Sequence, residues 1–277
     1  VAWTGAASRQ HLCDCCTYNE VIPDLSVPGN QGRWYRLEAA KRRLFYGLEL
    51  LGLPRGSWHS GPRLAFQFLA DTEDPRRPGA AQRVATGHCQ GRITINIREA
   101  DDDERERLRV QFGEAQRTLI GHFRHEIAHY YWELLIRGRS ETGFAAVFGD
   151  HEKPSYDEAL ARHYESGPPA DWAGRYVSAY ASMHPWEDFA ETFALYLDMV
   201  CLLDSARHQG LGGSGAPQPS LDTMLVDYQK IGIAMNEMNR SVGLVDIVPE
   251  VFVAPIVTKL RFVHGLIRET ADMGRPS

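Results

Sequence analysis

"FRHEIAHYYWELL", residues 123 to 135, sets His125, Glu126 and His129 in the spacing H-E-x-x-H inside a run that otherwise reads as a buried helix. On a helix, residues four apart lie one turn apart on the same face, so His125 and His129 can both present an imidazole nitrogen to one ion at about 2.0 to 2.1 Å. Glu126 is rotated by one position. It cannot easily join them as a ligand, but it can reach a water bound to the metal, the general-base position of zinc hydrolases. Chance produces the motif in roughly three chains per hundred of this length, so it needs company. A catalytic zinc requires a third protein ligand and an open coordination position.

Around the motif, a long helix is predicted from Glu106 to Ile136, with a break near Gly113 or Gly121. Leu119, Phe123, Ile127, Tyr130 and Leu134 form an apolar stripe, and His122, His125, Glu126 and His129 lie on the other side. The helix is therefore expected to pack on one face and to line a cleft with the other. His122 sits about two turns from His129, too far for one tetrahedral ion, which favours a structural or supporting role.

The third ligand has few sources. A metzincin would carry Gly at 132 and His at 135, where this chain has Trp132 and Leu135. The later stretch "EDFAE" instead offers Glu187 and Glu191 on one helical face, with Asp188 turned about 100° away. Glu187 can bind the metal, and Glu191 can accept a hydrogen bond from the outer ring nitrogen of His125 or His129, fixing its tautomer. Tyr180, seven residues before Glu187, is either a donor to the oxyanion of a tetrahedral intermediate or a core tyrosine. His184 beside Pro185 can line the pocket, or, as the default, is a helix-start histidine facing water. His88 and His151 carry no signal of their own.

The remaining chain reads as α+β and mostly helical. Leu37, Leu44, Leu48 and Leu51 mark a helix over 34 to 51, and "LAFQFLAD" (64–71) and "GRITINIRE" (91–99) alternate as strands able to pair in a small sheet. The second of these strands, "RITINI", is the candidate substrate shelf, since an extended peptide can add to an exposed sheet edge. "EADDDERERLRV" and "KRR" at 41 to 43 read as solvated faces, the first with acids at a helix start. Further helices are expected at 155–165, 169–181, from Pro185 onward, and at 221–240 and 253–270, with a Gly-rich linker at 207–220. Residues 1–33 read as irregular, and residues 34–277 as the main domain.

A formal charge of −6 argues against a phosphate-driven nucleic-acid binder, and no apolar run approaches a membrane span of roughly 20 residues. Five cysteines, three of them in "CDCC", do not form the framework of a secreted domain, so a cytoplasmic setting is expected. The chain begins at Val1, which leaves room for a missing upstream segment.

Together, "RTLIGHFRHEIAHYYWELL" and "DWAGRYVSAYASMHPWEDFAETFALYL" resemble the zinc-binding metallopeptidase family of bacteria that joins an N-terminal zinc ribbon to an H-E-x-x-H domain. "IPDLSVPGNQGRWYRLEAAKRRL", "TGHCQGRITINIREADD" and "NEMNRSVGLVDIVPE" extend the resemblance over nearly the whole chain. It implies a zincin-like fold with one catalytic zinc on His125 and His129, Glu126 as base, and a peptide or protein substrate. The Tyr-x6-Glu-x3-Glu arrangement also resembles glutamate-ligand zincins of the anthrax lethal factor type, which implies Glu187 as ligand, Glu191 behind it and Tyr180 as oxyanion donor. The ribbon is where the chain departs. Cys13-x-x-Cys16 matches half of one, and no upstream C-x-x-C is present in the sequence. A second, structural zinc therefore needs a missing segment or a degenerate site using His11 and Cys15; otherwise the cysteines are bare. Cys89 and Cys201 read as packing residues.

The expected function is hydrolysis of peptide bonds through a zinc-activated water with Glu126 as general base. Two alternatives stand beside it: a metal-stabilised module that binds protein or nucleic acid without turnover, and an ordinary core helix.

Overall fold

Leu37, Leu44 and Leu48 recur at helical spacing and are fully buried, which fixes α1, Asn30–Leu50. It begins four residues earlier than the apolar pattern indicates, just after Gly29 in a left-handed conformation. The computed structural model describes residues 12–56, 63–73, 81–112, 117–212 and 219–273, which fall in two compact units, 1–137 and 138–277.

In the first unit, β1 (Asn19–Val21) precedes α1, so the segment before residue 34 is not wholly irregular. After α1 come β2 (Ala65–Leu69), β3 (Thr72–Glu73), β4 (Ala81–Gln82), β5 (Gly87–Cys89) and β6 (Arg92–Asn96). The main sheet has the order β1-β2-β6-β5, with β1-β2 and β2-β6 parallel and β5-β6 antiparallel; β3 and β4 form a separate antiparallel pair. Alternation explains its two faces. Phe66 and Phe68 of β2 are fully buried and their rings approach Phe123, while Gln67 on the other face takes part in a polar ladder with Glu20 of β1 and Thr94 of β6.

A two-residue turn joins β5 to β6. Gln90 (φ 48°) and Gly91 (φ 77°) both adopt left-handed conformations, as a type I′ hairpin demands. Gly91 has a second reason to be glycine, since a Cβ there would stand 2.2 Å from the Arg63 carbonyl oxygen.

Beyond β6, a short 3-10 turn leads into α2 (Asp102–Phe112), whose first turn carries Asp102, Asp103 and Glu104 as the sequence suggests. The predicted long helix is divided: α3, Leu119–Leu135, starts afresh at Thr118, whose hydroxyl accepts the Gly121 N–H at 3.0 Å. Gly121 therefore lies inside α3, and Gly113 falls outside the described residues. Nor does α3 keep a polar cleft face and an apolar one. From Phe123 to Trp132 all but His125 are buried, including Arg124, Glu126 and His129.

"KRR" is also corrected in part. Lys41 is completely buried, because it occupies the same stripe as Leu37 and Leu44. Its ammonium donates to Glu38 Oε1 at 2.7 Å and to Asn19 Oδ1, and lies 5.3 Å from the ring centres of both Phe66 and Phe68.

In the second unit, α4 (Glu141–Phe148) occupies what the sequence reads as loop, followed by α5 (Tyr156–Ser166), which starts at a full capping box of Ser155 and Glu158. The helix expected over 169–181 does not form. Pro168 and Pro169 lack N–H groups, and the stretch holds only two 3-10 turns, Trp172–Gly174 and Tyr180–Ser182. Then α6 (Pro185–His208) starts with Pro185 in its first turn, and α7 (Leu221–Ser241) and α8 (Ala254–Met273) complete the unit. The centre of the predicted linker, 213–218, lies outside the described residues. Phe144, Phe148, Phe189 and Phe193 form the aromatic core joining α4 to α6.

Candidate metal centre

On α3 the two motif histidines converge as their spacing predicts. His125 Nε2 and His129 Nε2 are 3.1 Å apart, with the rings nearly perpendicular at 85°. Two ligands of a tetrahedral zinc, each about 2.05 Å from the metal, lie about 3.3 Å from one another, so these nitrogens fit a shared ion.

Glu126 is 5% exposed. Its Oε1 lies 3.4 Å from His122 Nε2, while Oε2 is buried without a hydrogen-bond partner among the described residues. Burial alone would raise the carboxyl's pKa, but the hydrogen bond from His122 and the charges of the neighbouring imidazoles outweigh it and hold it below the ordinary range. The carboxylate stays ionised at neutral pH, as a proton acceptor must.

Behind His122 stands Glu99, 6% exposed, paired with His122 Nδ1 and accepting from the Thr86 hydroxyl. Burial works against the charge on His122, yet Glu99 and Glu126 prevail and lift its pKa to about 9. Glu99 does not belong to the solvated acidic run in which the sequence appears to place it. It lies in the 3-10 turn Ile97–Ala100 that follows β6, where Ile97 and Ala100 are buried with it.

His88 has more structure than its sequence context suggests. Its side chain is fully buried, Nε2 accepts the Gly91 N–H at 3.0 Å, and its ring stacks 6.4 Å from that of His129. Burial, reinforced by His129, lowers its pKa to about 4, so it is neutral at physiological pH. The candidate peptide shelf on "RITINI" is not a sheet edge. β6 is hydrogen-bonded to β2 on one side and β5 on the other, because "GHCQG" folds back as a hairpin.

In the second unit, Glu187 lies in the first turn of α6 and is 2% exposed. The Tyr156 hydroxyl donates to its Oε1 at 2.9 Å, a partner 31 residues away that no local spacing in the sequence reveals. Tyr180 hydrogen-bonds to Tyr156, and burial, the charge of Glu187 and Tyr156 all push its phenol far above the ordinary range. It therefore remains protonated and able to donate. His184 does not face water: it is 4% exposed and caps α6 by accepting the Trp186 N–H at Nδ1, 3.1 Å away. Asp188 faces Lys259 of α8 at 2.6 Å, with burial pushing its carboxyl up to about 7 against the pull of that lysine. Glu191, one turn after Glu187, is half-buried.

Far from the motif, Cys13 and Cys16 bring their sulfurs within 3.4 Å in the turn before β1. Among the described residues no further donor joins them in a metal-holding group, and His11 lies outside those residues. Cys89 and Cys201 are free thiols.

The profile of the family described as "Putative zinc-binding metallo-peptidase" matches residues 30–266, which takes in both halves of this constellation. The chain belongs to that family. Uncharacterized proteins of Mycobacterium bovis and Mycobacterium tuberculosis are 39% identical to it over 277 residues, covering 96% of this chain and 79% of theirs. No solved structure matches the chain. As in the sequence reading, no described helix of this metallo-peptidase family member is long and apolar enough to cross a membrane.

Proposed function

We propose that the chain is a zinc-dependent peptidase in which His125, His129 and Glu187 hold the ion and Glu126 is the general base. Tyr180 donates to the developing oxyanion, and Glu191 bears on an outer imidazole nitrogen. The observation that carries this reading is Glu126 itself. An ionised carboxylate is buried beside two converging imidazoles with one oxygen unpartnered among the described residues, an arrangement that costs stability and suits a proton acceptor. The donor types agree with it, since His125, His129 and Glu187 together supply two imidazoles and one carboxylate. Two imidazoles and a carboxylate are a common catalytic zinc set.

A zinc ion bound there supplies Lewis-acid polarisation and brings the pKa of a coordinated water to about 7. The chain's own part is to accept and return a proton at Glu126 Oε2, to keep that group charged through His122, and to present the Tyr180 hydroxyl in its protonated form. The similarity of Tyr180, Glu187 and Glu191 to the lethal factor pattern supports the roles given to those three. Cys13 and Cys16 would serve as half of a structural ribbon site. A non-catalytic binding module would have no use for a buried, ionised and half-partnered Glu126.

The test pairs metal analysis with turnover. Zinc should bind at one equivalent per chain, and Glu126→Gln should keep that zinc while losing about 10²- to 10⁴-fold in hydrolysis of an unfolded protein such as casein. Equal metal in His129→Ala, or undiminished turnover in Glu126→Gln, would sink the reading.

A further inference from the structure

We propose that His122 is a positioning residue for Glu126: anchored at Nδ1 by Glu99, it engages Glu126 Oε1 through Nε2 and leaves Oε2 as the oxygen that takes the proton. The inference rests on Glu126 acting as the base. Glu99, His122 and Glu126 form a continuous line within one unit, running from the 3-10 turn after β6 to the motif, with both carboxylates buried and His122 partly exposed. Each ring nitrogen of His122 faces a different carboxylate, so the ring cannot rotate or flip without losing one of them. Thr86 fixes Glu99 from the other side. Glu126 is thereby held by one oxygen only, whereas a purely structural carboxylate at this depth would have both engaged.

The two carboxylates facing His122 outweigh the cost of burying its charge and favour a ring protonated on both nitrogens. A neutral ring could serve one carboxylate as donor but would repel the other with its lone pair.

The experiment uses the zinc-loaded full chain with dye-labelled casein as the probe substrate. His122→Phe and Glu99→Gln should each lower kcat about 10- to 100-fold with KM and zinc content unchanged. His122→Gln, whose amide can still donate to Oε1, should recover part of the loss. Independently of turnover, ¹⁵N-histidine spectra at neutral pH should show His122 protonated on both ring nitrogens, and Glu126→Gln should move the Nε2–H signal far more than the Nδ1–H signal. A neutral His122 ring, or an Nε2–H signal indifferent to Glu126→Gln, overturns the inference whether or not the variants fold. Loss of turnover in Glu126→Gln beside full turnover in Glu99→Gln and His122→Phe overturns it alone. Full turnover in Glu126→Gln overturns the base assignment and the inference with it.

Discussion

Two buried charged clusters share the first unit, and they are finished differently. Around Lys41, both Glu38 oxygens and the ammonium have partners: Asn19 and Lys41 on Oε1, Cys16 and Arg42 near Oε2. Around His122, Glu99 is held on both sides but Glu126 keeps one oxygen open. Closing every bond is what stability rewards, since a buried group without a partner costs about 1 to 3 kcal/mol. The closed cluster fastens β1 to α1, and the open one bears the motif.

The strongest way to break this contrast is to open the closed cluster. Lys41→Met strands Glu38 in the core and should destabilise the chain by about 3 to 5 kcal/mol, read by denaturant unfolding, with zinc content per folded chain unchanged. A cost under about 1 kcal/mol would show that Lys41 is no more than a filler.

A second test separates the clusters by pH. His122 titrates near 6.5 when unfolded and at about 9 when folded, so its stabilisation is complete below pH 6.5 and lost as pH rises through 9. In metal-free protein, stability should fall by up to about 3 kcal/mol over that window, and the fall should vanish in His122→Phe. An equal fall in both proteins would place the titrating group elsewhere.

Gly91→Ala probes the sheet whose strand β6 leads into the turn bearing Glu99. Its positive φ and the Arg63 carbonyl both oppose a side chain, so about 1 to 3 kcal/mol should be lost with β5-β6 pairing loosened, visible as faster amide exchange there. Thr118→Ala, which removes the cap one turn before His122, should cost only about 1 kcal/mol and leave the Lys41 cluster untouched.

Much of this was legible in the sequence, and the losses have physical causes. The converging imidazoles follow from i, i+4 spacing, and β2 and β6 from alternation, since both are local rules. Lys41 and Glu99 were hidden by their charge: Lys41 lies in the helical stripe of Leu37 and Leu44, where register was the better guide, and Glu99 lies in a 3-10 turn between buried Ile97 and Ala100. β5 is three residues of "GHC", too short for any pattern, and its hairpin displaces "RITINI" from the edge. α4 was missed because Gly143 interrupts "ETGFAAVF", while "ADWAGRYVSAYAS" supplied apolar residues without the uninterrupted backbone a helix needs. Tyr156 could not be read at all, because its hydrogen bond to Glu187 spans 31 residues of chain and no local pattern announces it.

That phenol bears on which ion could be accepted. The Tyr156 hydroxyl takes one lone pair of Glu187 Oε1, which disfavours a grip on an ion by both oxygens. Calcium draws on six to eight oxygen donors and often grips a carboxylate by both, whereas zinc is content with one oxygen beside two nitrogens. On the proposed reading, Tyr156 acts as a filter on metal identity, and Tyr156→Phe should relax the preference for zinc over larger cations before it weakens zinc itself.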